Sequence, residues 1–440
     1  MGITPKIIVL DDDPTGSQTV HSCLLLLKWD VDTLVLGLQD TSPIVFILTN
    51  TRALTPAQAD TVTREVCHNL KVAIAQAGVE EFLVVSRSDS TLRGHYPIET
   101  DAIADELGPF DAHFMVPAFF EGGRITRESV HYVVQDGTPT LAHETEFAKD
   151  SVFGYSTSYL PDYVAEKTQE RILAAAVERF TLDRLRQGCL EALLALKNNV
   201  CVAVDGETQA DLDRFAQDVL AAAARGQRFL FRSAASLLTA LAALPPQPIA
   251  AENMAQSVKD GHPGAVLVGS HVQKTTQQLA VLLEEPGVVG VEVKIVELVE
   301  SPETGRTQLL NAVLEQVRQI HQRGQTPVVY TSRQELTFSD VQTRLDFGKN
   351  VSALLMDIVK GLPSDLGFLI SKGGITSNDT LSSGLALRAT RLLGQILPGC
   401  SVVRTPEAHP QFPGMPVVLF PGNVGNDQAL ALAYRRLSGA

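Results

Sequence analysis

The sequence predicts an α/β protein of two three-layer domains, each on a mainly parallel sheet, with an active site in the cleft between them. Three observations carry this. Short β-branched runs recur, each followed by a polar or glycine-bearing loop and then a helical pattern. The 440 residues exceed what one hydrophobic core usually organises. Residues 241–264 hold Pro245, Pro246, Pro248 and Pro263 among few periodic apolar positions, as a linker does. Domains are therefore expected at 1–240 and 265–440.

Composition narrows the function classes. A 45% hydrophobic and 20% charged content is that of a globular chain with a packed core. A net charge of −14, from 36 basic and 50 acidic residues, argues against a sequence-independent nucleic-acid binder, yet leaves room for a local basic pocket. Cys23, Cys67, Cys189, Cys201 and Cys400 are scattered and never spaced C-x-x-C, so neither a disulfide framework nor a zinc site is expected. No apolar run approaches the roughly 18 residues of a membrane span. A core strand begins by Ile7, which leaves no room for a signal peptide, and a cytoplasmic location is expected.

Taken in order, residues 6–10 read as a buried strand ending in Asp11-Asp12-Asp13-Pro14-Thr15-Gly16. Three carboxylates at one strand end repel one another and need a metal, a cation or substrate hydroxyls nearby. That edge is also where open α/β sheets bind ligands. A turn-capping role accommodates one of these aspartates, not three. A strand at 44–48 ends in Thr49-Asn50-Thr51-Arg52, and Thr55-Pro56 starts a helix running to about residue 77. A strand at 82–85 leads into Ser86-Arg87-Ser88-Asp89-Ser90-Thr91-Leu92-Arg93-Gly94-His95. Arg suits planar carboxylates, and Asp and Ser suit polyol hydroxyls; the bland alternative is a solvated loop with a helix cap.

A strand at 114–119 leads to Glu121-Gly122-Gly123-Arg124-Ile125-Thr126, and 138–163 looks like a loop-rich excursion over the polar edge. Helices are expected near 169–179 and 182–197, then a strand at 200–204, a helix, and a strand at 229–231. Beyond the linker, a strand at 265–268 is followed directly by Gly269-Ser270-His271. A helix from near 275, a strand at 291–296, a helix at 308–323, a strand at 328–330 and a helix near 351–361 come next.

Two glycine turns follow. Residues 366–370 form a strand running into Ser371-Lys372-Gly373-Gly374-Ile375-Thr376-Ser377-Asn378-Asp379-Thr380, with a helical pattern from Leu381. Val417-Val418-Leu419-Phe420 leads to Pro421-Gly422-Asn423-Val424-Gly425-Asn426-Asp427 and a helical tail that Asn426 or Asp427 could cap. Such turns leave N–H donors and a helix dipole facing a ligand. Two of them point to a polyphosphate, with Lys372, Thr376, Ser377 and Asp379 adding charge, hydroxyls and a metal contact. No G-x-x-x-x-G-K-[ST] occurs, so this is not a P-loop.

With these loops together, the chain resembles the four-carbon acid sugar kinase family over nearly its whole length. The matching residues are Asp12-Asp13-Pro14-Thr15-Gly16, Arg52, Asp89-Ser90-Thr91-Leu92-Arg93-Gly94, Gly122-Gly123-Arg124-x-Thr126, Gly269-Ser270, Lys372-Gly373-Gly374-x-Thr376 and Pro421-Gly422-Asn423-x-Gly425. The resemblance implies ATP- and Mg²⁺-dependent phosphorylation of a small acid such as threonate, erythronate or 3-oxo-tetronate. It implies substrate contacts at Arg52, Arg87, Ser88, Asp89, Ser90, Arg93 and Arg124, with Asp12 or Asp13 as base or hydroxyl orienter. It implies nucleotide contacts at Ser270, Lys372, Gly373, Gly374, Ile375, Thr376, Gly422, Asn423 and Gly425. Metal ligands stay unassigned, a homodimer is compatible, and neither nucleic acid nor membrane is an expected partner. The chain departs from better-known members around Thr15 and at Ser86-Arg87-Ser88, both in the expected substrate site. The resemblance therefore implies a class of acid and no single one.

Two other classes compete. Asp11-x-Asp13-x-Thr15 after a strand also looks like the first motif of haloacid-dehalogenase-type phosphatases, with Ile47-Leu48-Thr49-Asn50 like the second and Gly425-Asn426-Asp427 faintly like the fourth. The separation of these segments is too large for one such domain, and Ser86–Arg93 and Lys372–Asp379 go unused. A non-catalytic sugar-acid sensor is the third reading. Nucleotide dependence of turnover separates the three.

Overall fold

β1 (Lys6–Asp11) is buried along its whole length, as a central parallel strand must be, and its unbroken apolar run supplies that. In the computed structural model, which describes residues 5–300, 304–333 and 340–439, the chain divides into two compact units, Met1–Pro246 and Gln247–Ala440. In the first unit β1 is followed by β2 (Leu24–Leu26), α1 (Val31–Gln39), β3 (Ile44–Leu48), α2 (Pro56–Ala77), β4 (Phe82–Arg87), α3 (Ile98–Leu107) and β5 (Ala112–Val116). β6 (Arg124–Arg127), β7 (Val130–Gln135) and β8 (Thr138–Leu141) form a separate antiparallel sheet ahead of α4 (Leu160–Lys167). β9 (Glu178–Phe180), α5 (Leu182–Gln187), α6 (Leu190–Ala195), β10 (Val200–Val204), α7 (Gln209–Ala223), β11 (Phe229–Ser233) and α8 (Ala235–Ala242) complete it.

Among the described residues the main sheet of this unit runs β2-β3-β1-β4-β11-β5-β10-β9, with every pair parallel. Parallel pairing puts the polar loops at one edge, and the register sets Asp11 level with Leu48 and Arg87. Phe114 anchors the core, packed edge-on to Phe180, Phe215 and Phe229 and stacked on Phe231. α2 begins where expected: the Thr55 hydroxyl accepts from the Gln58 N–H, and Gly78 closes the helix in the left-handed region.

The second unit carries β12 (Ala265–Val268), α9 (Gln273–Leu282), β13 (Val288–Val293), α10 (Val296–Glu300), α11 (Thr304–Gln322), β14 (Thr326–Thr331), α12 (Val341–Lys360), β15 (Leu369–Lys372) and α13 (Gly374–Asp379). β16 (Ala389–Leu397), β17 (Cys400–Arg404), β18 (Pro416–Phe420) and α14 (Ala429–Ser438) follow. Its sheet runs β13-β14-β12-β15-β18-β17-β16, parallel from β13 to β18 and antiparallel beyond. From β12 the chain leads to β13 on one side of the sheet, and from neighbouring β15 it leads to β16 on the other. The crevice between their C-terminal ends is thus the topological switch point, where such sheets bind ligands.

Several sequence expectations are corrected. The helix expected at 169–179 is instead a turn through Gln169 and Glu170 (φ 53° and 60°) that leads to β9. The helix expected at 182–197 breaks at Gly188 (φ 103°) into α5 and α6. The helix near 351–361 begins ten residues earlier, because the Asp340 carboxylate caps the Thr343 N–H. The helical pattern from Leu381 is a single wide turn after α13, and the chain then enters β16. Residues 138–163 carry more order than a loop, with β8, two short 3₁₀ turns and the start of α4. α14 starts at Ala429 with no side-chain cap of its own, while Asn426 Oδ1 accepts from the Gln428 N–H just ahead of it. No described helix is long and apolar enough to cross a membrane.

Candidate functional site

In the first unit, the polar ends of β1, β3 and β4 converge. The Arg52 N–H donates to the Asp12 carbonyl at 3.2 Å, which turns the guanidinium back onto the aspartates. Its Nη2 and Nε then fork onto Asp12 at 2.5 and 3.2 Å, and Nη1 reaches Asp13 Oδ2 at 3.2 Å. Ser88 Oγ donates to Asp12 Oδ2 at 2.5 Å, the oxygen that also accepts from Arg52 Nε. Asp12 is thereby saturated and 1% exposed. Asp13 keeps a quarter of its side chain accessible and accepts from the Thr15 N–H at 2.8 Å. Burial would raise the Asp13 pKa, but Arg52, Arg87 and Thr15 outweigh it and hold it below the usual carboxylate range.

Asp11 behaves oppositely. It is fully buried, one oxygen has no partner among the described residues, and Arg87 Nη1 stands 3.5 Å from the other. Burial pushes its pKa up to about 8 despite Arg87. A Cβ on Gly16 would fall 1.9 Å from this carboxyl, so no larger residue fits there. Arg87 keeps a buried Nε without a partner.

The 88–94 loop is clamped from the antiparallel insert and α4. His131 Nε2 donates to the Ser90 carbonyl at 2.7 Å, and burial pushes this histidine down to about 4, so it stays neutral. The Tyr155 and Tyr163 hydroxyls donate to the Thr91 and Leu92 carbonyls, both at 2.8 Å. Within the loop, Arg93 Nε donates to Asp89 at 2.8 Å. Burial opposes ionisation of Asp89, yet Arg52 and Arg93 keep it well below the carboxylate range. Arg93 and Arg124 lie over the Phe147 ring at 5.1 and 5.8 Å, and the Arg124 Nε has no partner. Behind the loop, Arg232 pairs with Glu99 at 3.0 Å and donates to Ser86 Oγ at 3.2 Å.

In the second unit, a cavity of about 710 Å³ opens at the switch point. Gly269, Ser270 and His271 after β12, Arg333 after β14, and Gly373, Gly374, Ile375 and Thr376 after β15 form its polar end. Ile295 and the α12 side chains Phe347, Val351, Leu355 and Met356 form an apolar wall. The glycines have steric reasons: a Cβ on Gly269 would meet Thr376 Oγ1 at 2.3 Å, and Gly373 has φ 125°.

The remaining expected residues fall differently. Lys372 is fully buried and turned away from the cavity: its Nζ donates to the Pro421 and Gly422 carbonyls at 2.5 and 3.0 Å, over the Phe420 ring. Burial lowers its pKa to about 7. Lys372 therefore ties the two glycine turns together. Gly422 abuts Ser270 without lining the cavity, and its carbonyl accepts from Thr275 Oγ1 at 3.2 Å. Asn423 and Gly425 sit further along that turn, where Lys274 donates to the Gly425 carbonyl and Gln278 to those of Val424 and Asn426. Ser377 donates to the Ser371 carbonyl, and Asp379 accepts from Ser352.

Glu99, Arg232 and Arg333 escaped the sequence reading. The available signal was a charge inside or just beyond a buried apolar run, Phe229-Leu230-Phe231-Arg232 and Val328-Val329-Tyr330-Thr331-Ser332-Arg333. Glu99, in the first turn of a helix, carried none.

Comparison with known proteins gives a consistent family. The profile of a sugar-binding N-terminal domain matches residues 7–241, and that of a nucleotide-binding C-terminal domain matches residues 265–430. A D-erythronate kinase of Heliobacterium modesticaldum is 28% identical over 219 residues, 48% of this chain and 47% of the relative. A D-threonate kinase of Bordetella bronchiseptica is 29% identical over 165 residues, 36% of this chain and 38% of the relative. The chain thus spans about half, or less, of the relatives it matches. Solved proteins of Salmonella typhimurium (TM-score 0.70, 18% identity, 99% of this chain and 100% of that one) and Haemophilus influenzae (0.63, 16%, 98% and 100%) share the fold.

Proposed function

Because this chain belongs to the four-carbon acid sugar kinase family, we propose that it transfers a phosphoryl group from ATP to a hydroxyl of a small sugar acid of the erythronate–threonate class. The observation that carries this reading is the Asp12–Arg52–Asp13 cluster, in which one carboxylate is saturated and the other keeps access. Asp13, ionised at neutral pH, is the group that orients the acceptor hydroxyl and takes its proton. Asp12 and Ser88 hold Arg52 and the loop in position. Arg87, Arg93 and Arg124 supply cationic donors for the acid's carboxylate, and Asp89 and Ser90 supply polar groups for its hydroxyls.

The nucleotide belongs to the cavity of the second unit, with its base toward the α12 wall and its phosphates toward the glycine turns. Transfer requires the two bound substrates to meet with water excluded, since water competes as acceptor. Among the described residues no cluster of three or more His, Cys, Asp or Glu forms a metal cage. The cavity lining offers the Ser270, Ser352 and Thr376 hydroxyls but no carboxylate. That donor set fits Mg²⁺ carried in on phosphate oxygens and water, where it neutralises charge on the transferring group. The phosphatase alternative makes Asp11 the nucleophile, and a buried carboxyl with a pKa of about 8 is protonated at neutral pH and poorly suited to attack.

The test is ADP release with erythronate, threonate and 3-oxo-tetronate as acceptors. ATP-dependent turnover of at least one is expected, and Asp13→Asn should lower kcat by about 10²- to 10⁴-fold. Phosphate release from phosphoesters without ATP would overturn the reading.

A further inference from the structure

Arg333 lines the polar end of the cavity, and its geometry is specific. Its Nη1 donates to the Ser270 carbonyl at 2.6 Å, which fixes one end of the guanidinium. The Nε and Nη2 atoms are buried and have no hydrogen-bond partner among the described residues. These two nitrogens share the side edge of the guanidinium plane, where two parallel N–H donors match two oxygens of one phosphate or carboxylate. A buried donor pair without acceptors is costly unless a ligand supplies them.

The surroundings select the sign of that ligand. The cavity lining carries Arg333 and Arg344 and neither Asp nor Glu, in a chain with 50 acidic residues. Lys372, the basic residue beside the glycine pair, directs its Nζ to the Pro421 and Gly422 carbonyls instead. The same Ser270 that anchors Arg333 lies against the 373–376 turn: a Cβ on Gly373 would stand 3.1 Å from Ser270 Cβ. Through Ser270, Arg333 and the glycine turn meet at one corner of the cavity.

We propose that Arg333 is the phosphate-binding residue of this cavity, gripping a nucleotide phosphate bidentately through Nε and Nη2 while the Ser270 carbonyl holds its other end. The proposal rests on the nucleotide reading above, and it deepens that reading by exchanging the expected lysine for an arginine in the loop after a different strand. In this proposal Arg333 contacts substrate and transfers no proton, so its contribution is to binding and to charge neutralisation.

Calorimetry with ATP, AMP, adenosine and inorganic tripolyphosphate on the parent, Arg333→Gln and Arg333→Lys tests it, with melting temperatures as the check on folding. ATP and tripolyphosphate affinity should fall about ten- to hundred-fold in Arg333→Gln, and less in Arg333→Lys, which keeps charge but not the fork. Adenosine affinity should stay within about twofold. Should the glutamine variant fail to fold, the lysine variant carries the same comparison. Loss of adenosine binding as large as that of ATP, or undiminished tripolyphosphate binding in a folded variant, overturns the proposal. A parent that binds tripolyphosphate through Arg333 but no nucleotide sinks the kinase reading and leaves the anion site standing; a parent that binds neither sinks both.

Discussion

Gly94→Ala tests how tightly the 88–94 loop is built. Gly94 has φ 121°, outside the range an alanine adopts without strain. A Cβ there would stand 2.4 Å from Ser88 Oγ, 2.5 Å from Arg232 Nη2 and 3.0 Å from Asp12 Oδ2. Restoring ordinary contact distances requires the first two atoms to retreat by about 1 Å each. Ser88 Oγ is held to Asp12 at 2.5 Å, a charge-assisted bond of about 1.5–3 kcal/mol. Backbone strain adds about 1–3 kcal/mol. Side-chain ends give way in part, so the expected loss is about 3–5 kcal/mol, read as a lower urea midpoint. Turnover with the sugar acid should fall sharply, while nucleotide affinity in the separate second unit stays unchanged. Ser88→Ala removes the hydroxyl the new methyl meets, so the double variant should be less destabilised than the sum of the singles by about 1 kcal/mol or more. A Gly94→Ala protein within about 0.5 kcal/mol of its parent, at full activity, would refute the loop packing described here.

Arg52→Met leaves Asp12 and Asp13 facing each other without their shared cation, at a cost of about 2–4 kcal/mol at neutral pH given partial solvent screening of the arginine. Asp13 has a depressed folded pKa, so its stabilisation exists above the unfolded value near 3.8 and is lost as pH falls through the folded one. The penalty measured by urea unfolding should accordingly be largest near pH 7 and narrow below about pH 4; a penalty constant across that window removes charge pairing as its cause. For Gly422→Val, φ lies outside the left-handed region, so the backbone is not strained, and the added Cβ meets Ser270 Oγ at 3.2 Å. Displacing Ser270 should weaken ATP binding by about tenfold with melting temperature and acid binding preserved, and unchanged ATP affinity in the folded variant would show that the Gly422 turn does not shape the nucleotide site through Ser270.

The strands were the legible part of the fold. Runs such as Lys6-Ile7-Ile8-Val9-Leu10 and Ile44-Val45-Phe46-Ile47-Leu48 are apolar without alternation, which marks buried parallel strands and fixes the edge their polar loops share. Local signals failed where tertiary context decides. Residues 169–179 have helix-forming composition, yet Gln169 and Glu170 take positive φ so that β9 can pair with β10. β16 and β17 were hidden because their paired faces pack with a register shift near Gly394, which blurs the two-residue period. Of the sites, the aspartates and the loop arginines were legible because several like charges at a strand end demand partners. Their mutual pairing was not, since nothing local says that Arg52 turns back onto Asp12.

Lys372 and Arg333 mark the limit of motif reading most clearly. A lysine beside a glycine pair suggests a phosphate ligand, but one place along a strand decides where its ammonium goes. At the last position of β15, paired with Phe420 across the sheet, Lys372 is enclosed by Phe420, Pro421 and Gly422. Arg333 lies two residues past the end of β14, so it clears the sheet edge and reaches the crevice. The first unit follows the same rule: Arg87 ends β4 and is buried beside Asp11, whereas Arg52, beyond β3, keeps solvent contact and bridges two carboxylates. In both units, distance past the last ladder bond sorts buried cations from cations that reach the polar edge of the sheet. In an acidic chain that sorting matters, because at physiological salt the overall field is screened beyond about 8 Å and an anion is held by donors in direct contact with it.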